Sequence, residues 1–235
     1  MIAAQITPQD RQLPLVVINP NSTVAVTDGI DAAMEPFRQV PDSPEIHCFT
    51  LAEGPPGVES QQHVEQVVSP LLSLIEQHQG YASAFVIACY SDPGLHAARE
   101  VSAAPVFGIA ECGLQTALLL GDRFGVISIK QTSIPRHMRM VRALGMESRC
   151  AGDRAIDLSV EELSDKNRTY ARMRQVGAEL RDRDSADVLV MGCAGMARYR
   201  DHLSAELSIP IVEPTQAAVA LALGLSRLPW FRKIG

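Results

Sequence analysis

Several familiar signatures are missing from this chain. No two cysteines are spaced Cys-x-x-Cys, and the five present (Cys48, Cys89, Cys112, Cys150 and Cys193) make an odd set. That pattern argues against a zinc site and against a disulfide framework, and for free thiols in a reducing, cytoplasmic setting. No dense basic stretch occurs, and 21 Lys+Arg against 27 Asp+Glu leave a net charge of −6. Nucleic acid and anionic membranes are therefore poor partners. Apolar runs are short: the one at residues 217–223 cannot span a bilayer. The first residues, Met1 to Ile6 followed by Thr7-Pro8-Gln9-Asp10-Arg11, lack a basic start and a long apolar stretch, so no signal peptide is expected. Low-complexity segments and short tandem repeats are absent. The six histidines are scattered, none beside Cys89 or Cys193.

What is present is an α/β alternation long enough, at 235 residues, to bury a sizeable core as one domain or two small ones. After a polar leader, strands are expected at 15–19 and 46–51, with a capped turn at Pro20-Asn21-Ser22-Thr23 and a helix at 24–34. A Pro/Gly loop covers 52–57 and a helix 61–77. A strand ending near Cys89 precedes a helix at 93–101, with Pro93 in its first turn. A further strand covers 105–109. The pattern then restarts: helix 111–120, strand 123–128, helix 133–144, helix 164–183, a strand leading to Cys193, helix 198–207, a short strand at 211–212 and helix 214–225. Strands alternating with helices predict parallel sheets. The restart near residue 110 predicts two similar lobes, 1–110 plus 210–235 and 111–209, with a cleft between them. Residues 148–164 are the least periodic and read as a loop over that cleft.

Two cysteines occupy equivalent points of this repeat. Ala84-Phe85-Val86-Ile87-Ala88-Cys89-Tyr90-Ser91-Asp92-Pro93-Gly94 and Asp187-Val188-Leu189-Val190-Met191-Gly192-Cys193-Ala194-Gly195-Met196 each run from a short apolar strand through a thiol into a turn. Such thiols lie at carboxyl ends of strands, where open α/β sheets bind ligands. A following helix N-terminus is expected to favour thiolate there. A free cysteine is more often a small buried hydrophobe, and that reading is kept for Cys48, Cys112 and Cys150. The matched placement of Cys89 and Cys193 points instead to paired acid/base groups facing one substrate. Asp92 reads as an N-cap for the helix starting at Pro93, and Glu111 as a structural residue capping the helix that opens the second lobe.

The chain resembles the Asp/Glu/hydantoin racemase superfamily, in its hydantoin/allantoin racemase branch. The resemblance is carried by Ile18-Asn19-Pro20-Asn21-Ser22-Thr23, by Cys89 with Asp92-Pro93-Gly94-Leu95 and Ala97-Ala98-Arg99, by Gly108-Ile109-Ala110-Glu111, and by Gly192-Cys193-Ala194-Gly195-Met196. It runs from about residue 15 to 225. It implies two pseudosymmetric lobes, each a parallel sheet flanked by helices, with the active site in the cleft between them and no cofactor. It also implies that Cys89 and Cys193 work on opposite faces of the substrate carbon, in an assembly of identical subunits. Asn19, Asn21, Ser22, Tyr90, Ser91, Ser128, Ala194 and Gly195 would hold the substrate, with Asn19 or Asn21 contacting a carbonyl. Two positions depart from the branch: Ser91 stands where Gly is usual, and Ile127-Ser128-Ile129-Lys130 where Val-Thr-Thr-Leu is frequent. Ile129 cannot hydrogen-bond through its side chain, and Lys130 reads as an exposed lysine at a helix edge.

Racemisation removes a proton from an sp³ carbon and returns one to the opposite face. A thiol with a pKa tuned toward working pH suits that transfer. A hydantoin C5–H is activated by both flanking ring groups, so a weak base suffices. A free amino acid is harder, because its carboxylate resists becoming an enediolate. Backbone N–H groups in the turns after Asn19, Cys89 and Cys193 are candidate donors to the developing oxyanion, worth ~3 kcal/mol each. The expected function is a cofactor-independent racemase of a 5-substituted hydantoin, allantoin or a related small molecule. Alternatives in the superfamily are a maleate-type cis–trans isomerase, an Asp/Glu racemase and a malonate decarboxylase; outside enzymology, a small-molecule binding protein on the same scaffold remains.

Overall fold

The computed structural model describes residues 13–228. The leader, and the signal-peptide reading made on it, lies outside the described residues.

Among the described residues, eight parallel strands form two four-stranded sheets. The first contains β1 (Leu15–Asn19), β2 (Ile46–Thr50), β3 (Ala84–Ile87) and β4 (Val106–Gly108), in the order β2-β1-β3-β4. The second contains β5 (Phe124–Ser128), β6 (Cys150–Ala155), β7 (Val188–Met191) and β8 (Ile211–Val212), in the order β6-β5-β7-β8. The two orders are the same, so the restart seen in the sequence is a structural repeat. In register, Leu15 lies beside Ala84 and Phe124 beside Val188, which aligns the ends of the central strands and the residues that follow them. Strands β1, β3, β5 and β7 are buried at every position, as expected of parallel strands covered on both faces.

Strand β6 fills part of the segment expected to be a loop. It is an edge strand, half-buried along Cys150–Arg154, and its run CAGDRA lacks the apolar signature of a central strand. The expected helix 61–77 is two helices, α3 (Gln61–Gln66) and α4 (Val68–Gln77). Pro70 explains the break: it has no N–H to bond Gln66 and its ring crowds that carbonyl.

The remaining helices are α1 (Val24–Ala33), α2 (Glu35–Arg38), α5 (Leu95–Val101), α6 (Ile109–Leu120), α7 (Ile134–Ala143), α8 (Lys166–Asp182), α9 (Arg200–Leu207) and α10 (Pro214–Leu225). The two that end each half are exchanged. Helix α6 follows the first sheet, yet Ala110, Leu114 and Ala117 pack with Phe124, Val126, Val188 and Val190 of the second. Helix α10 follows the second sheet, yet Ala218, Val219 and Ala222 pack with Leu15, Val17, Val86 and Phe107 of the first. Of the segment 210–235, expected wholly in the first lobe, the described residues are divided: β8 pairs with β7, while α10 covers the first sheet. Where the exchanged helices touch, Gly113 leaves room for Pro214; a Cβ there would lie 2.9 Å from the Pro214 Cβ. Among the described residues no helix is long and apolar enough to cross a membrane.

Candidate active site

Both central strands β3 and β7 end in a turn that begins with a cysteine, and the two turns face each other across one cleft. Its wall includes Cys89, Tyr90 and Ser91 from the first lobe and Cys193, Ala194 and Gly195 from the second. The cleft encloses about 420 Å³ of space, its open mouth included. Val26, Val58, Ile129 and Val160 make one part of the wall apolar, while Asn21, Ser133, Arg136 and His137 supply polarity. Each lobe's first helix reaches the other lobe's cysteine turn: α1 packs on the turn at Ala194–Tyr199, and Arg136 of α7 bonds Ser91.

The turn after β1 is organised by Asn19, which is buried and does not line the cleft. Its Nδ2 donates to Asn21 Oδ1 (3.1 Å) and Thr27 Oγ1 (3.0 Å), and its Oδ1 accepts from the Asn21 N–H (3.2 Å). Asn21 Oδ1 also accepts from the Thr23 N–H, so among the described residues only its Nδ2 is without a partner, and Asn21 lines the cleft. Of the two asparagines, Asn21 is therefore the one that faces the cleft. Ser22 does not line the cleft, and its backbone N–H donates to Pro55 O (3.0 Å).

Ser128 occupies the position in the second lobe that Asn19 holds in the first. It too is buried, within hydrogen-bond distance of His137 Nδ1 (3.0 Å) and donating to Asp153 Oδ1 (2.5 Å). His137 Nδ1 lies 2.9 Å from Asp153 Oδ2, and the His137 ring meets the edge of Tyr90. Ser128 thus anchors the cleft-lining His137 and does not itself line the cleft. Tyr90 and Ala194, the residues after the two cysteines, each have a backbone N–H with no acceptor among the described residues. The Tyr90 hydroxyl is buried without a partner.

Sequence reasoning missed Arg136 and His137, which come from a helix of the opposite lobe with no motif around them. Ile129 does line the cleft. Lys130 is not a free exposed lysine: it is half-buried and 3.8 Å from Glu59.

Asp92 caps a different helix from the one expected. Its carboxylate accepts from the N–H groups of Ala110 (3.0 Å) and Glu111 (2.9 Å), at the start of α6. It sits so close to Gly108 that a Cβ there would lie 2.3 Å from its Cγ, which requires glycine. Glu111, expected to cap that helix, instead pairs with Arg99 at 2.7 Å. Burial pushes the Asp92 carboxyl up to about 7, against the pull of those two N–H groups. In the second lobe Glu213 caps α10 through Thr215 and Gln216, and burial raises it to about 6.

The thiols are not shifted as the helix-terminus argument predicted. Burial pushes Cys89 up to about 11, with the Ser91 N–H pulling the other way, Asp92 adding to the rise, and Arg136 and the Ser91 hydroxyl opposing it. Burial raises Cys193 further, to about 12; the Gly195 N–H opposes this, and Cys89, Glu59 and Glu213 add to it. Enclosure outweighs the local dipoles because α5 starts only at Leu95 and the turn after Cys193 is 3₁₀. Among the described residues no group of three His, Cys, Asp or Glu side chains is placed to hold a metal ion.

The family model described as Asp/Glu/Hydantoin racemase matches residues 15–222. The chain belongs to that family. As a member of the Asp/Glu/hydantoin racemase family it is an isomerase, a racemase. It is 34% identical over 216 residues to a hydantoin racemase of Pseudomonas sp. (strain NS671), covering 89% of this chain and 84% of that one. An allantoin racemase from Klebsiella pneumoniae superposes with a TM-score of 0.88 at 29% identity, over 92% of this chain and 89% of the other. A glutamate racemase from Bacillus anthracis, at 18% identity and a TM-score of 0.70 over 94% and 84% of the two chains, shares the fold.

Proposed function

We propose that the protein interconverts the enantiomers of a 5-substituted hydantoin, allantoin or a close relative. Cys89 and Cys193 serve as acid and base on opposite faces of the ring carbon, and no cofactor takes part. The observation that carries this reading is the convergence of two pseudosymmetric cysteine turns on one cleft. A thiolate on one side takes the C5 proton; the thiol on the other side donates its own to the opposite face. The ring carbonyl that gains charge is met by the N–H groups of Tyr90 and Ala194 and by Asn21 Nδ2, donors without partners among the described residues. Each such donor is worth ~3 kcal/mol to the transition state.

Wall chemistry favours a neutral ring over a free amino acid. Among the described residues no carboxylate lines the cleft to meet an ammonium, since its charged wall residue is the cation Arg136 and Val26, Val58, Ile129 and Val160 are apolar, and desolvating an unpaired charge is costly. The named hydantoin and allantoin racemases among its relatives, at 29–34% identity, support the same choice.

The test is proton NMR in D₂O with single enantiomers of allantoin, 5-alkyl and 5-aryl hydantoins, aspartate and glutamate. Loss of the C5 proton together with inversion is expected on at least one hydantoin. Cys89→Ser and Cys193→Ser should each abolish net inversion, while each still exchanges the proton of one enantiomer. Full inversion by either single variant would sink the two-base assignment.

A further inference from the structure

Resting on the two-cysteine reading, we infer that Arg136 and Ser91 form a positioning relay across the cleft that makes Cys89, rather than Cys193, the first of the two thiols to ionise. The guanidinium of Arg136 is half-buried in the cleft wall. Its Nε donates to Ser91 Oγ (3.1 Å), while its two terminal nitrogens donate to Thr132 O (3.3 Å) and Ser133 Oγ (3.1 Å). Among the described residues no carboxylate pairs with it: nearby Glu59 is taken by Lys130 and Asp153 by His137. The charge closest in function is therefore the Cys89 sulfur, and the attraction between the two acts on both groups.

Ser91 completes the link. Because its oxygen accepts from Arg136, its own proton is free to turn toward sulfur, and both its N–H and its hydroxyl bond Cys89. A glycine here, as is usual in the branch this chain resembles, could supply only the N–H. Cys193 has no equivalent. One N–H, that of Gly195, bonds it, and the charged groups acting on it are Glu59, Glu213 and any Cys89 thiolate, all unfavourable to a second negative charge. On the Cys89 side Asp92 opposes ionisation and Arg136 favours it, while Tyr90, His137 and the Cys193 thiol also line the cleft.

The proton balance follows. Cys89 thiolate takes the C5 proton and becomes a thiol; Cys193 gives its proton to the opposite face and becomes the thiolate. Exchange with solvent then returns the pair to the resting arrangement. Turnover cannot reveal this asymmetry, because an equilibrium constant of one between enantiomers makes kcat/KM equal in both directions. The thiols themselves must be read.

The experiment measures alkylation of the folded protein by iodoacetamide at pH 8, resolved by peptide mass spectrometry. Cys89 is followed in a Cys193→Ser background and Cys193 in a Cys89→Ser background. Arg136→Met should slow Cys89 alkylation about tenfold, the change that one pKa unit makes in thiolate population. Arg136→Lys should restore most of the rate, and Ser91→Ala should slow Cys89 several-fold. Cys193 should respond less than twofold to each. Equal slowing of both thiols, or an unchanged Cys89 in a variant with native circular dichroism, overturns the relay. If Arg136→Met does not fold, Ser91→Ala decides on the same criterion. No substrate enters the assay, so a protein that fails on every hydantoin can still show the relay, and an active racemase can still lack it.

Discussion

Raising the pH should speed this enzyme steeply, because both of its proposed acid/base groups rest as thiols. Burial holds Cys89 near 11 and Cys193 near 12. A thiol with a pKa of 11 is about one part in a thousand thiolate at pH 8, equivalent to ~4 kcal/mol of uphill deprotonation before any chemistry. kcat/KM reports the free enzyme, so it should climb tenfold per pH unit from 6.5 to 8.5, with no plateau. The falling limb, where both thiols have ionised, lies beyond that window. Polarimetry on a single hydantoin enantiomer at low concentration measures this, within a range where the ring imide stays protonated. The Cys89→Ser/Cys193→Ser double variant supplies the base-catalysed background to subtract. A plateau at or below pH 8 would refute the reasoning. It would mean that Arg136, Ser91 and the turn N–H groups outweigh enclosure and leave a standing thiolate in the empty site.

Two stability predictions accompany it. Gly113→Ala puts a Cβ 2.9 Å from the Pro214 ring between the exchanged helices and should cost about 1–3 kcal/mol of unfolding free energy, visible as a lower Tm; an unchanged Tm would show that α6 and α10 can slide apart freely. For Asp92, raised from an ordinary value near 4 to about 7, the folded state holds the extra proton. Its contribution is then complete below about pH 4 and lost as pH rises through 7, so in urea melts the wild type should lose stability relative to Asp92→Asn over that interval, and a constant difference would contradict the shift.

Much of the fold was readable because its information is local. Central strands announce themselves as unbroken apolar runs, and those at β1, β3, β5 and β7 fell where expected. The edge strand β6 did not, since one face of Cys150–Arg154 meets solvent and its polar residues imitate a loop. The break at Val67 was present in the sequence as Pro70 but was passed over beside the strong apolar spacing of Leu71 and Ile75. The same distinction holds in the site. Cys89 and Cys193 were legible from the run-then-turn pattern around each. Asn19 and Ser128 were legible as strand-end polar residues, but their spacing could not say whether they face a ligand or anchor the turn; each is occupied by buried partners. Arg136 and His137 carried no signal, because their importance comes from a helix 45 residues from Ser91 in sequence, as the span of the Arg136–Ser91 bond shows.

That long-range contact also explains how a repeat can be made chemically uneven. The two halves have the same strand order and the same cysteine turn, yet the residues behind those turns differ in kind. Behind the first lobe's strand end lies a neutral network, Asn19 with Thr27 and Thr50. Behind the second lie Asp153 and His137, held by Ser128. Because each lobe's first helix reaches into the other's cysteine turn, this difference is delivered crosswise: α7 brings Arg136 to Cys89, whereas α1 brings the apolar Val26 toward the Cys193 side. On the proposed reading, inversion needs matched bases on two faces, while the ring and its substituent need walls that are not alike. Repeating the strand-and-turn unit provides the first requirement. Exchanging unlike helices between lobes provides the second without disturbing the placement of either sulfur.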